Sequence, residues 1–182
     1  MSEPEPHLLI AVGGLSGTGK STLARALASE LGTVVLRSDV VRKAHFNVAE
    51  TTPLGPDAYV PEVTALIYAQ LNEACAAALA RGRCVIVDAV FQRPAERAEI
   101  EAVARAGCAA FVGLWLEAAN DVRRERVAAR TADASDATPK VADEQALRDS
   151  GVIAWYKIDA SGHSDAVLAN ALAVVGKGRA PD

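Results

Sequence analysis

The chain has 182 residues, 51% of them hydrophobic, a formal net charge of −4 and a pI of about 5.4. That length fits one domain with a substantial core, and that composition excludes a disordered polymer. An acidic balance argues against a broad basic surface for capturing nucleic acid, and no apolar run reaches the length of a membrane span.

Met1–Pro6 carries two glutamates, two prolines and no positive charge, so it does not read as a signal peptide. A cytoplasmic location with no membrane partner is the default expectation, and a monomer is the simpler one. Arginines outnumber lysines 14 to 5, which a GC-rich genome explains, although Arg also makes the better forked phosphate contact. Cys75, Cys84 and Cys108 form no CxxC pair and have no His at metal-ligand spacing, so three buried, reduced thiols are expected.

In chain order, Leu8–Gly13 reads as a buried strand. Lys20–Leu31 reads as a helix with Leu23, Leu27 and Leu31 on one face and Gly32 ending it. Thr33–Arg37 is a second strand, and a short helix begins near Asp39. Residues 47–60, with Pro53, Gly55 and Pro56, form a loop. Pro61 opens a helix to Arg81 that stops at Gly82. Arg83–Asp88 is a third strand, Pro94–Ala106 a helix closed by Gly107, and Ala109–Leu116 a fourth strand. A charged helix over 119–130 leads into a polar segment, 131–140, containing TADASDATPK. A helix near 141–149, a fifth strand over Ile153–Asp159 and a helix over Ser164–Val175 complete the pattern. Residues 1–7 and 177–182 are expected to be disordered tails. Apolar strands separated by helices predict a parallel sheet covered on both faces, hence a single three-layer α/β domain over 1–182.

The first strand runs into Gly14-Leu15-Ser16-Gly17-Thr18-Gly19-Lys20-Ser21, a full match to G-x-x-x-x-G-K-[ST], with Thr22 following. Glycines let the backbone turn its N–H groups inward around a phosphate, so Gly14, Ser16, Gly17, Thr18 and Gly19 are expected to contact the nucleotide. The helix N-terminus adds its dipole. Lys20 is expected at the β- and γ-phosphates and Ser21 at Mg²⁺.

Such a loop serves switch GTPases, hydrolysing ATPases and kinases. N-K-x-D is absent, and Asp88 is followed by Ala89, Val90 and Phe91 rather than by D-x-x-G. Ala89 also stands where a motor ATPase places its water-activating Glu. The chain is short for an accessory helical domain. These absences favour a kinase using ATP and Mg²⁺.

The second strand ends in Leu36-Arg37-Ser38-Asp39-Val40-Val41-Arg42. Strand C-termini point to the ligand crevice, so Asp39 can orient an acceptor hydroxyl, with Arg42 one turn later holding an anionic part of that acceptor. On spacing alone, an Asp39 N-cap paired with Arg42 on a solvated helix is an equal reading. Asp88 is expected as a Walker-B-like metal ligand acting through water, with a strand-end Asp that caps a turn as the alternative. Arg93 is an acceptor contact, while Arg97 reads as a solvated helix residue. Arg126 and Arg130, at i,i+4, repel by roughly 0.2–0.5 kcal/mol unless an anion offsets them; they are expected in a lid that meets ATP. Arg123 lies one turn before Arg126 on much the same face, and Arg124 is solvated. Residues 131–140 have the composition of a mobile lid loop, whose Asp133 and Asp136 are expected to pair with arginines.

VGGLSGTGKSTLA, LRSDVVRK, VIVDAVFQRPAER, LWLEA and DASDAT together resemble a group of P-loop kinases. The group holds gluconate-kinase-like and zeta-toxin-like enzymes and the kinase half of polynucleotide kinases; such chains are often labelled AAA family ATPase. The closest likeness is to the kinase-like domain found fused to aminoglycoside-phosphotransferase-like domains. The resemblance covers residues 8–175. It implies a P-loop NTPase fold, a five-stranded parallel sheet of order 2-3-1-4-5 and an arginine-bearing lid. It implies that Asp39 is the base and that Arg42 binds a neighbouring phosphate, as in the polynucleotide-kinase branch. It also implies adenine contact near Ala160-Ser161-Gly162, with Gly162 at the nucleotide. The chain departs from that branch in lacking an evident basic track, and it is expected to stand without a fused domain. The expected partner is a small-molecule acceptor. Polynucleotide 5′-hydroxyl kinase, zeta-like nucleotide-sugar kinase and nucleotide-binding regulatory module are the alternatives.

Overall fold

The computed structural model describes residues 7–129 and 133–178. Every residue of the first strand, β1 (Leu8–Gly14), is buried, because apolar side chains alternate onto two covered faces. Leu8, Ile10 and Val12 face one layer, and Leu9 and Ala11 face the other. Around it stand β2 (Val34–Arg37), β3 (Val85–Asp88), β4 (Ala110–Glu117) and β5 (Tyr156–Asp159). All pairs are parallel, and the order β2-β3-β1-β4-β5 is the expected 2-3-1-4-5 of the P-loop NTPase fold.

Parallel neighbours need long crossovers, and helices supply them. One layer holds α1 (Lys20–Leu31) and α7 (Ser164–Gly178), through Leu23, Leu27, Val167, Ala171 and Val175. The opposite layer holds α3 (Pro61–Leu79) and α4 (Pro94–Ala106), through Leu71, Cys75, Leu79, Ile100 and Ala104. The helices α2 (Ser38–His45), α5 (Asn120–Ala128) and α6 (Pro139–Leu147) sit at the carboxyl ends of the strands or follow from them. Among the described residues no helix is long and apolar enough to cross a membrane.

Several expected details change. The loop over 47–60 contains a single 3₁₀ turn, Pro56–Tyr59. The Ile153–Asp159 strand shortens to Tyr156–Asp159 because Trp155 turns inward instead of pairing. Its ring lies so close to the backbone that a Cβ on Gly113 would collide with it. The last helix runs past Val175 to Gly178, and His7 is bonded to the sheet through Ala110, whose N–H donates to its carbonyl at 2.7 Å. The remaining residues of both expected tails lie outside those described. Gly107 does not take the left-handed conformation that closes α4; Cys108 does, at φ +50°. That puts Cys108 on the surface, and Cys84 is half-buried, so Cys75 alone of the three thiols is fully enclosed. Burial pushes its pKa up to about 12.

Candidate active site

The phosphate loop leaves the carboxyl end of β1 and feeds α1. Gly14, Gly17 and Gly19 have φ of +134°, +86° and +95°, values that side chains rarely tolerate. Crowding constrains the first two again. A Cβ on Gly14 would lie 2.6 Å from the Leu116 carbonyl oxygen, and one on Gly17 would run into the Arg123 backbone. The groups that could face an anion have partners within the chain. Lys20 Nζ and the Thr18 hydroxyl donate to the Leu15 carbonyl at 3.1 and 2.9 Å. The Ser16 N–H donates to Gln145 Oε1 on α6 at 2.8 Å, so a side-chain carboxamide sits where the loop amide aims its hydrogen.

β2 and β3 pair with Arg37 opposite Asp88, and this register builds the centre of the site. Arg37 Nε donates to Asp88 Oδ2 at 3.2 Å. Its Nη2 donates to Ser21 Oγ at 3.2 Å and to Asp133 Oδ1 at 2.9 Å. Burial alone would lower the Arg37 pKa, but the hydrogen bond to Asp133 and the charges of Asp88, Asp133 and Asp39 outweigh it and hold the pKa above the ordinary value. Ser21 and Asp88 thus contact one and the same guanidinium. They are hard oxygen donors of the kind Mg²⁺ takes from protein when phosphates and water complete its shell. No group of three or more His, Cys, Asp or Glu that could hold a metal ion occurs among the described residues. The donor set therefore fits a cation shared with a nucleotide and does not fit an all-protein cage.

Asp39 is the second residue of α2, whose N-cap is Arg37. The N-cap reading of Asp39 is thereby set aside. Asp39 lines the same cavity of about 1350 Å³ as Lys20, Ser21, Arg42, Asp88 and Arg93. Burial raises its pKa, the charge of Asp88 raises it further, and Lys20, Arg37 and Arg42 pull the other way, leaving a net rise. Arg42 is 5% exposed. It donates to the Ala58 carbonyl and stacks 4.6 Å from the Tyr59 ring centroid, so its helix face is enclosed, not solvated. Arg93 is exposed at the N-cap of α4, where its N–H donates to Glu96 Oε2 at 3.0 Å. Arg97, expected in solvent, is buried. It donates to the carbonyls of Phe91, Gln92, Ser150 and Val152 at 2.7–3.1 Å, because its helix face meets the 150–152 turn and the rim after β3.

On the other side, Arg123 is buried and joins the phosphate loop to α6, donating to the carbonyls of Ser16 at 3.0 Å and Ala142 at 2.8 Å. Arg126 Nη1 donates to the Ala160 carbonyl at 2.9 Å, beside exposed Gly162. Arg124 is exposed and pairs with Asp143 at 3.2 Å. Arg130 lies outside the described residues, as do Thr131 and Ala132 of the expected lid. The rest of that segment is tied to the cavity wall. Asp133 does meet an arginine, Arg37. Asp136 instead meets a lysine: Lys43, 1% exposed, donates to it at 2.6 Å, and the Leu54 N–H and the Tyr59 hydroxyl donate to it as well. Burial works against the Asp136 charge, but these donors outweigh it and lower its pKa. Pro139 and Lys140, placed in the loop by sequence, form the first turn of α6, capped by the Thr138 hydroxyl.

Sequence reasoning passed over Arg37, Gln145 and Tyr59, and noted Arg123 only as a neighbour of Arg126 on its helix face. Arg37 had one usable signal: it ends its strand as Asp88 ends the next.

Comparison with known proteins gives a family and a shared fold. The model of the family described as an AAA domain matches residues 9–149. Uncharacterized proteins of Mycobacterium bovis and Mycobacterium tuberculosis are 32% identical over 158 residues, 85% of this chain and 32% of theirs. The chain thus spans about a third of the length of these relatives. A UPF0200 protein of Aeropyrum pernix is 35% identical over 137 residues, 71% of this chain and 68% of that one. A gluconokinase structure from Sinorhizobium meliloti matches with a TM-score of 0.64 at 22% identity, covering 96% of this chain and 94% of that chain. A sugar kinase structure from a Janibacter species matches with 0.65 at 19%, covering 98% and 100%. At such identities the two structures establish a shared fold.

Proposed function

This chain belongs to the family described as an AAA domain, and on that premise we propose that it is an ATP-dependent phosphotransferase acting with Mg²⁺ on a hydroxyl of a small-molecule acceptor. The observation that carries the proposal is Asp39: a carboxylate with a raised pKa in one cavity with Lys20, Ser21 and Asp88. A hydrolase needs a residue to hold water. A kinase needs a carboxylate aimed at a substrate hydroxyl, and Ala89 leaves the position after Asp88 without an acid.

In the transfer, the acceptor hydroxyl oxygen attacks the γ-phosphorus of ATP. A new O–P bond forms, the bond to the β,γ-bridging oxygen breaks, ADP leaves, and Asp39 takes the hydroxyl proton. Lys20, the amides of the Gly14–Gly19 loop and Arg126 would counter the spreading negative charge. Ser21 and Asp88 would hold Mg²⁺, which when bound neutralises phosphate charge. Arg42 and Arg93 would line the acceptor side, and Gly162 the adenine side. A small acceptor is favoured over a polynucleotide by the acidic net charge of −4, and the gluconokinase and sugar kinase of like fold support it.

The test is transfer of labelled γ-phosphate into a pooled panel of hydroxylated metabolites, aminoglycosides, nucleosides and a 5′-OH oligonucleotide. Lys20→Ala is expected to abolish transfer. Asp39→Asn is expected to bind ATP normally and lose at least about 100-fold in transfer, the usual share of a general base. Transfer by Asp39→Asn at the wild-type rate would defeat the assignment of the base. Slow phosphate release, equal in both proteins and without a labelled product, would favour a regulatory module.

A further inference from the structure

The proposed metal ligands already share a cation that belongs to the chain. Arg37 contacts Ser21 Oγ and Asp88 Oδ2, each at 3.2 Å, with one guanidinium. Asp88 is 4% exposed, so its charge is seldom left to water. The remaining contact of Arg37, to Asp133 at 2.9 Å, comes from the DASDAT segment, which the phosphate chemistry above does not use. We propose that Arg37 is a positioning residue that competes with the divalent cation. It holds Ser21 and Asp88 in place before metal arrives, and Asp133 retains it once they are taken.

The reasoning is electrostatic. A buried carboxylate without a partner is unfavourable, and one with two cations beside it is unfavourable for those cations. For Ser21 and Asp88 to ligate a metal, Arg37 must release both. Nη2 meets both Ser21 and Asp133 and Nε meets Asp88; since Nη2 carries two hydrogens, Arg37 can release Asp88 and Ser21 while one Nη2–H stays on Asp133. Asp133 is the partner it keeps, and that gives the segment a defined task. Without Asp133, Arg37 would face the metal unpaired. The two residues should therefore have opposite effects on metal affinity: Arg37 weakens it and Asp133 restores it. Lys43 on α2, six residues along the chain from Arg37, pairs with Asp136 and ties the same segment down at a second point.

This inference rests on the Mg-nucleotide reading of the site. Its test measures binding rather than transfer. The full chain is titrated with MgCl₂ in the presence of a non-hydrolysable ATP analogue, and the half-saturating Mg²⁺ concentration is read by calorimetry. Arg37→Gln is expected to lower that concentration by at least about fivefold, the low end of ordinary coupling between sites, and Asp133→Asn to raise it by a like factor. In the double variant the Asp133 effect should shrink, since Arg37, which it retains, is gone. Should Arg37→Gln fold poorly, Arg37→Lys keeps the charge but loses the fork, and is expected to fall between wild type and Gln. Melting temperatures without metal separate a merely structural role, which would lower them and leave the Mg²⁺ dependence unmoved. An unchanged or raised half-saturation in Arg37→Gln, with wild type binding the analogue normally, overturns this proposal alone. Failure of wild type to bind the analogue with Mg²⁺ overturns the kinase reading and this inference with it.

Discussion

Asp39 is pulled by burial and by Asp88 toward the protonated form, and by Lys20, Arg37 and Arg42 toward the charged one. The net rise above 3.8 has two consequences of opposite sign. Transfer needs the carboxylate, so kcat/KM should climb with pH along a limb centred above that value, and a pH–rate profile checks it. Folding is penalised by the same shift. Between the unfolded and folded pKa values the folded chain binds more protons, so stability falls as pH rises through the folded value. Urea unfolding at pH 8 should therefore find Asp39→Asn at least as stable as wild type, while transfer is lost. The place of Asp39 at the crevice was legible from sequence because a strand end and a helix start lie within two residues of it, though spacing alone left an N-cap reading open. Arg37 was not, since its partners Ser21, Asp88 and Asp133 are 16, 51 and 96 residues away. No local spacing encodes such distances.

At the scale of elements, Asp136 joins three pieces of chain: α2 through Lys43, the 50–54 turn through the Leu54 N–H, and the 3₁₀ turn through Tyr59. Removing one partner of a buried pair strands the other. Asp136→Asn is expected to destabilise the fold by about 3 kcal/mol through Lys43. The lowered Asp136 pKa means its contribution is present above 3.8 and is lost as pH falls through the folded value. The gap between wild type and Asp136→Asn should thus close on acidification, as urea titrations at pH 7 and pH 3 would measure. Helices and strands were legible in type and order because periodicity and Gly or Pro punctuation are local. Some ends shifted by a few residues where packing decided, as at Trp155 for β5, while α4 ends at Ala106 before Gly107 as expected. The 131–140 segment looked mobile because it is polar and short of apolar residues. Hydropathy does not report that Asp133 and Asp136 in its described part pair with Arg37 and Lys43.

At the scale of the whole molecule, an aromatic stack links the far layer to the rim of the site. Trp155 donates to Glu101 at 2.7 Å and meets Phe91 edge-on with centroids 5.2 Å apart. Phe91 holds φ +51° and donates its N–H to the Tyr68 hydroxyl at 2.9 Å. Gly113 makes room for that indole. Gly113→Ala should cost about 1–3 kcal/mol by overpacking, seen as a lower denaturation midpoint with an unchanged m-value. Gly113→Val should cost more. Sequence showed Gly113 only as a glycine in a strand; the close approach belongs to a residue 42 positions later, and is a property of the assembled layers.

The central position of β1 shapes how the chain comes into being. Of the five strands it is made first, yet its hydrogen-bonding neighbours are β3 and β4. At a synthesis rate of ~5–20 residues per second, the roughly seventy residues between β1 and β3 keep its two edges unpaired for about 4–14 s. During that interval Leu8–Gly14, wholly apolar or glycine, keeps two unpaired edges exposed. The middle of the finished sheet is thus a bare edge in the newborn chain.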